Sequence, residues 1–369
     1  MTNLSYMMNK TFNESNTNII PSNKKYYVLD NVIVDTFTGL IYDTKAKDII
    51  FECANEVFFY NNIPNLGIDN EICSNIIGNV DKEKNIELLK NKLREYFLQL
   101  LEKEGSVNNL TKIEDYLTIH LLSSMGEYMY GHVFDIFQKA MVLEKLHFNN
   151  YSLLCSNASQ IVDFNKHLEA LGFISDKHYY NDHLIKDVLY TESVKDRLVY
   201  IKKLLYIKPV SAYFSFTKES LEFIRRKYFE YFNVKNEEPI YKIFLNRNGV
   251  NIGRNANNYD ELRDELLQRN IKIINGDEKL EQVVYLLSKA THVAGIHGSK
   301  FINSMFCPRV TKFREYCPDT KNSDRGLEFS IYKKQLKLSE DYELIRYASN
   351  SDRDNYTIDI QDLLNFYEV

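Results

Sequence analysis

The chain has 369 residues, 44% of them hydrophobic and 26% charged, enough for two globular domains of ordinary size. Its net charge of -5 excludes a general nucleic-acid binder, which carries a basic excess. The chain has no run of about 18 apolar residues, which excludes a membrane-spanning helix and leaves peripheral contact as the expected limit. Cys53, Cys73, Cys155, Cys307 and Cys317 are scattered and form no C-x-x-C, so no zinc framework is expected. Reduced thiols and a polar Met1–Asn23 without an apolar core point to a cytoplasmic protein.

In chain order, residues 1–24 read as a flexible arm, rich in Asn, Ser and Thr. Tyr26–Asp35 and Leu40–Phe51 are β-rich and predict a small sheet at the edge of the first domain. Glu83–Glu104 predicts a helix with an apolar stripe of Ile86, Leu89, Leu93, Tyr96, Phe97 and Leu100, stopped by Gly105. Strands are predicted at Tyr116–Leu122, Tyr151–Cys155 and Leu184–Thr191. Helices are predicted up to Leu146, over Ser159–Leu171 and over Thr217–Asn233. The polar Val234–Pro239 reads as a linker. Beyond it, strand and helix alternate: Tyr241–Leu245, Tyr259–Arg269, Ile271–Ile274, Leu280–Ala290, His292–Ile296, a helix opening at Gly298, and Val310–Tyr316. Ile360–Phe366 predicts a last helix. The expected domains are 25–235, 236–345, and a segment 346–369 returning to the first domain.

Three groups of residues in the second half carry chemistry. Arg247 follows a strand's carboxyl end, and Arg254 closes the Gly249–Gly253 loop after it. Planar guanidinium forks suit a diphosphate, and open α/β sheets bind ligands at that edge; the plain alternative is two solvated loop charges. His297-Gly298-Ser299-Lys300 breaks an apolar strand and opens a helix, a ready anion site, with Asn303 one turn on. Glu315 ends the next strand, where it would accept from a ribose or sugar hydroxyl, or pair with Arg314 or Lys312. In the first half, His132 and Asp135 share a helix face if that stretch is helical, a proton-accepting arrangement or a helix-start pair. Glu127 lies nearby.

Leu245-Asn-Arg247, Arg254-Asn255, Tyr259-Asp-Glu-Leu262, Leu280-Glu-Gln282, Gly295-Ile-His-Gly-Ser-Lys-Phe-Ile-Asn303 and Phe313-Arg-Glu315 together resemble glycosyltransferase family 61. Ser299 stands where the family pattern has Ala. Tyr130-Gly-His132-Val-Phe-Asp135 resembles the family's Asn-Tyr-x-His-x-x-x-Asp stretch, with Tyr128 to Tyr130 replacing its Asn-Tyr.

The resemblance implies a GT-B fold: α/β, two Rossmann-like domains facing across a cleft, donor on the C-terminal one. It implies an inverting transfer from a nucleotide sugar, with a UDP-sugar the first expectation and no metal or other cofactor required. Arg247, Arg254, His297, Gly298, Ser299, Lys300, Asn303 and Glu315 are then the donor-binding residues. Asp135 is the first candidate for the base, His132 the second and Glu127 the third. The acceptor is a glycan or lipid-linked glycan in a capsule or lipopolysaccharide pathway, at the inner face of the membrane. Two other readings remain: a non-catalytic nucleotide-sugar or glycan-binding relative, and a phosphate-binding nucleotide-dependent enzyme.

Overall fold

A computed structural model describes residues 26–53, 72, 81–105, 107–114, 117–122, 136–146, 151–155, 161–174, 188–190, 197–208, 218–247, 255–308, 310–319, 342–348 and 356–369. The chain divides into two compact units. One comprises Met1–Ile161 and Leu171–Tyr213, the other Val162–Ala170 and Phe214–Val369.

The first unit is built on one eight-stranded sheet. Its strands are β1 (Tyr26–Asp35), β2 (Ile41–Asp43), β3 (Asp48–Ile49), β4 (Thr111–Ile113), β5 (Leu117–Leu121), β6 (Tyr151–Cys155), β7 (Val188–Tyr190) and β8 (Leu198–Ile207). The order is β3-β2-β1-β8-β5-β6-β7, with β4 also paired to β8. β4, β5, β6 and β7 run parallel to the neighbours they pair with, and β1 runs antiparallel along β8 from Tyr26↔Ile207 to Asp35↔Leu198. The β-rich N-terminal stretch is therefore an antiparallel extension of the main sheet, not a separate small one. Helix α1 (Lys82–Glu104) buries Leu89, Leu93, Phe97 and Leu100 and stops at Gly105, whose φ of 90° suits glycine. Each such side chain contributes about 1.5–3 kcal/mol of burial. Phe97 stacks on Tyr42 at 5.2 Å. Helix α2 (Lys139–Leu146) follows β5 in sequence.

Helix α3 (Phe164–Ala170) belongs to the second unit although its sequence lies within the first half. His167 faces the Tyr228 hydroxyl at 2.5 Å, and Tyr228 lies on helix α4 (Lys218–Tyr231). The boundary expected near residue 235 thus falls earlier, between Tyr213 and Phe214. Val234–Pro239 is polar because it is an exposed approach to the sheet. Directly after it, the amides of Ile240 and Tyr241 donate to the Lys289 carbonyl.

The second sheet comprises β9 (Tyr241–Leu245), β10 (Lys272–Ile274), β11 (Ala290–Ile296), β12 (Lys312–Asp319) and β13 (Tyr342–Ala348). All pairs are parallel, in the order β10-β9-β11-β12-β13. Buried on both faces, such strands need apolar runs, and Ile243, Phe244, Leu245, Val293, Ala294 and Ile296 supply them. Helices α5 (Tyr259–Gln268), α6 (Leu280–Ser288) and α7 (Ile360–Phe366) alternate with or follow the strands.

The C-terminal segment corrects an expectation. Leu363, Leu364 and Tyr367 are buried in one cluster with Phe244, Leu266, Ala294 and Tyr316, all in the second unit. The Tyr367 hydroxyl donates to the Ile243 carbonyl at 2.7 Å, and Arg314 reaches Asp362 at 2.9 Å. Asp359 caps α7 by accepting from the Asp362 amide. The apolar stripe of α7 is therefore satisfied on the sheet that precedes it.

Candidate active site

Numbered within the unit, the second sheet has the strand order 2-1-3-4-5. The order reverses between β9 and β11, and doubly wound sheets take ligands at the carboxyl ends beside that reversal. The residues that directly follow β9 and β11 are Asn246-Arg247 and His297-Gly298.

Close approach of the two strands is fixed by Gly295. A Cβ there would lie 2.6 Å from the Leu245 carbonyl oxygen and 2.6 Å from its Cβ. Arg247 extends from β9 across Gly298, where a Cβ would come within 2.4 Å of a guanidinium nitrogen. Gly298 leaves space over the turn, and the Arg247 guanidinium occupies it.

His297 is 2% exposed. Its backbone amide donates to the Tyr316 carbonyl, continuing the β11–β12 ladder past Ile296. Its Nδ1 lies 2.6 Å from Glu315 Oε1. Glu315 is completely buried, and its other oxygen accepts from the Tyr342 hydroxyl at the start of β13. Neither alternative pairing of Glu315 occurs. Arg314 pairs with Glu343 and Asp362, and Lys312 with Glu368, because alternate residues of β12 face opposite sides. Both Glu315 oxygens are thus engaged within the protein, one beside the imidazole and one by the Tyr342 hydroxyl.

The turn continues into Ser299–Phe306, a 3-10 helix where an α-helix was expected. Phe301, Ile302, Met305 and Phe306 are buried, and Asn303 is half-buried. Phe306 packs against Tyr228 at 4.9 Å, which anchors the helix to α4. Lys300 Nζ donates to the Asn246 carbonyl at 2.6 Å and to the Asn275 carbonyl, tying the end of β9 to the loop after β10. Its stem lies over Gly276, at φ 101°, where a Cβ would be 2.4 Å from Lys300 Cε. Burial lowers the pKa of Lys300, Arg247 adds to that, and Glu278 and Asp277 oppose it. Asn246 Nδ2 donates to Asn275 Oδ1 at 2.8 Å, while Glu278 accepts from the amides of Asn275 and Gly276.

The structure thus brings together Arg247, His297, Gly298, Lys300 and Glu315, with Asn303 on the helix that follows. Arg254, His132, Asp135 and Glu127 lie outside the described residues, as does the Ser299 side chain. Sequence reasoning missed Tyr342, Asn275 and Glu278. The last two follow an Asn275-Gly276 turn signal that marks the end of β10.

The first unit places a second buried histidine near the carboxyl end of β5. His120 is completely buried, with Nε2 3.3 Å from the Gly39 carbonyl. Burial, and then the charge of Lys139, pushes its pKa down to about 3. Lys139 opens α2, is itself buried, and sits 5.8 Å from the Tyr206 ring. The segment carrying His132 and Asp135 joins β5 to this helix in sequence.

A parallel α/β unit with guanidinium, imidazole and ammonium groups at its switch point defines a class of protein that takes an anionic ligand at a sheet edge. Residues 130–313 match the family described as Glycosyltransferase 61. The chain belongs to that family, and glycosyl transfer is its class of activity. The matched segment contains His132, Asp135, Arg247, Arg254 and His297 to Asn303, and ends before Glu315 and Tyr342. No curated protein matches the sequence. Among solved structures, E. coli heptosyltransferase WaaC with ADP is similar at 9% identity and a TM-score of 0.30, over 69% of this chain and 99% of that one. Among the described residues no helix is long and apolar enough to cross a membrane.

Proposed function

We propose that the protein is an inverting, metal-independent glycosyltransferase. It transfers a sugar from a nucleotide-sugar donor, UDP-sugars first among them, to a hydroxyl of a glycan or lipid-linked glycan acceptor. The observation that carries this reading is the convergence of Arg247, His297 and Lys300 on the β9–β11 switch point inside the family segment.

The donor diphosphate lies against that edge. Arg247, joined by Arg254 from the following loop, binds its oxygens in pairs. Lys300 supplies charge from behind, because two of its donors are held by carbonyls. His297 presents Nε2 to the diphosphate or the sugar. Inversion is one displacement: the acceptor oxygen bonds to the anomeric carbon as the bond to the diphosphate breaks on the opposite face. The acceptor proton passes to a base from the first unit, Asp135 first and His132 second. The leaving diphosphate gains charge, and fixed positive groups stabilise it without reorganising. A cytoplasmic site at the inner membrane face, in capsule or lipopolysaccharide assembly, completes the reading.

The sequence also holds an Asp-x-Asp triplet, Asp352-Arg353-Asp354, outside the described residues. Chelation therefore belongs in the test. UDP-, GDP-, CMP- and dTDP-sugars are offered with and without EDTA to the wild type, Arg254→Ala and Asp135→Asn. The expected result is one donor turned over in EDTA, binding lost in the first variant and turnover lost in the second. Turnover only with magnesium overturns the metal-free mechanism, and binding without turnover makes the chain a non-catalytic relative.

A further inference from the structure

We infer that Tyr342 is a positioning residue of the donor site: by donating to Glu315 it holds that carboxylate against His297 and keeps the imidazole proton on Nδ1. The inference rests on the donor-site reading above and extends it to a residue beyond the family segment, which ends at residue 313.

Three strands build the relay. β11 ends at Ile296 and delivers His297, β12 carries Glu315 in its interior, and β13 begins with Tyr342. The register pairs Gly295 with Glu315 and Phe313 with Tyr342. Both oxygens of Glu315 are engaged: Oε1 lies 2.6 Å from His297 Nδ1, and Oε2 accepts from the Tyr342 hydroxyl. A completely buried carboxylate needs such donors to stay ionised. Among the described residues no lysine or arginine forms an ion pair with it; the neighbouring Arg314 and Lys312 are paired elsewhere. An ionised Glu315 fixes the neutral ring as the Nδ1–H tautomer, with its lone pair on Nε2. The same carboxylate stabilises the imidazolium when Nε2 carries a proton toward a ligand oxygen. Either use fails if Glu315 takes up a proton or turns away.

Removing the hydroxyl raises the proton affinity of the Glu315–His297 pair. The direction is the same whichever member of the pair receives the proton, because the lost hydrogen bond favoured the unprotonated carboxylate. The other ionisable groups facing Tyr342 are Cys317 on β12 and Arg346 on β13, and Arg247 lies over the adjacent Gly298. Tyr342→Phe leaves all three in place.

The test uses the full chain with ¹⁵N-labelled histidine and follows the ring signals against pH. His297→Gln assigns the His297 signals. In the wild type His297 is expected as the Nδ1–H tautomer at neutral pH. In Tyr342→Phe the ring signals are expected to change at higher pH than in the wild type. The acid limb of kcat/KM with a nucleotide-sugar donor is expected to move up with it. In a Glu315→Gln background, Tyr342→Phe is expected to add nothing. A wild-type His297 in the Nε2–H tautomer overturns the relay even if Tyr342→Phe does not fold. An unmoved ring titration, or the same Tyr342→Phe shift without the Glu315 carboxylate, also overturns it. If the wild type turns over no donor, glycosyl transfer fails as a reading, and the ring signals still decide the relay.

Discussion

His297 directly follows β11 in the second unit, and His120 lies one residue before the end of β5 in the first. Both are buried, 2% and 0% exposed, where parallel strands pair. His297 has a carboxylate 2.6 Å from Nδ1. His120 has a backbone carbonyl at 3.3 Å and feels the charge of Lys139. Burial, and then the charge of Lys139, holds the His120 ring neutral. Two histidines at similar places in α/β sheets therefore differ in the groups they face. In the proposed donor site the second unit's histidine faces a carboxylate, whereas His120 of the first unit faces a backbone carbonyl.

Four substitutions sharpen or break that contrast. The largest effect is expected from packing common to the second unit. Leu363→Ala removes a completely buried side chain of α7 and should cost about 2–5 kcal/mol, read by urea unfolding of the full chain. A loss below about 1 kcal/mol would show that α7 does not complete the second core. His297→Ala should lower kcat/KM about 100-fold, comparable to losing one preorganised donor, and should also lower the unfolding midpoint, because it leaves the buried Glu315 without one of its two partners. An equal loss in His120→Gln would erase the distinction between the two histidines.

The third concerns pH. Unfolded His120 binds a proton below about pH 6.5, whereas the folded ring does so only near about 3. The unfolded state then holds more protons, so stability falls as pH falls through that window. Between pH 6.5 and 5 the group should cost about 2 kcal/mol, and His120→Gln should flatten that part of the stability curve. An unchanged slope contradicts the buried neutral ring. The smallest effect is expected at Gly298. Its backbone is extended, and the atom a methyl would meet is the movable end of Arg247. Gly298→Ala should cost under about 1 kcal/mol of stability while weakening donor binding, measured by calorimetry.

The second unit was the more legible in sequence. Tyr241–Leu245 and Ile360–Phe366 were read to the residue, because apolar runs end there at polar turn residues. β8 was missed: Lys202 and Lys203 interrupt its apolar run, yet burial resumes on both sides of them in the sheet interior. β13 was missed because Tyr342–Ala348 mixes Glu343 and Arg346 into an edge strand that needs little burial. Phe301, Ile302, Met305 and Phe306 share one face at α-helical spacing and spread round a helix of three residues per turn, so the spacing itself pointed to the other helix type. Arg247 and His297 were legible because each follows a predicted strand at the edge where ligands bind. The Glu315–His297 contact was not, since it spans 18 positions and depends on the β11–β12 register. The return of α7 to its own unit was likewise invisible, because an apolar stripe does not say which sheet it covers.

The most direct test of the central claim is calorimetric binding of a UDP-sugar in EDTA to wild type and Arg247→Ala, followed by product analysis. Binding by the wild type, at least about 10-fold weaker in the variant, with an inverted anomeric product, is the predicted result. Equal affinity in the two proteins, or no binding of any nucleotide sugar, would contradict the β9–β11 edge as the donor site.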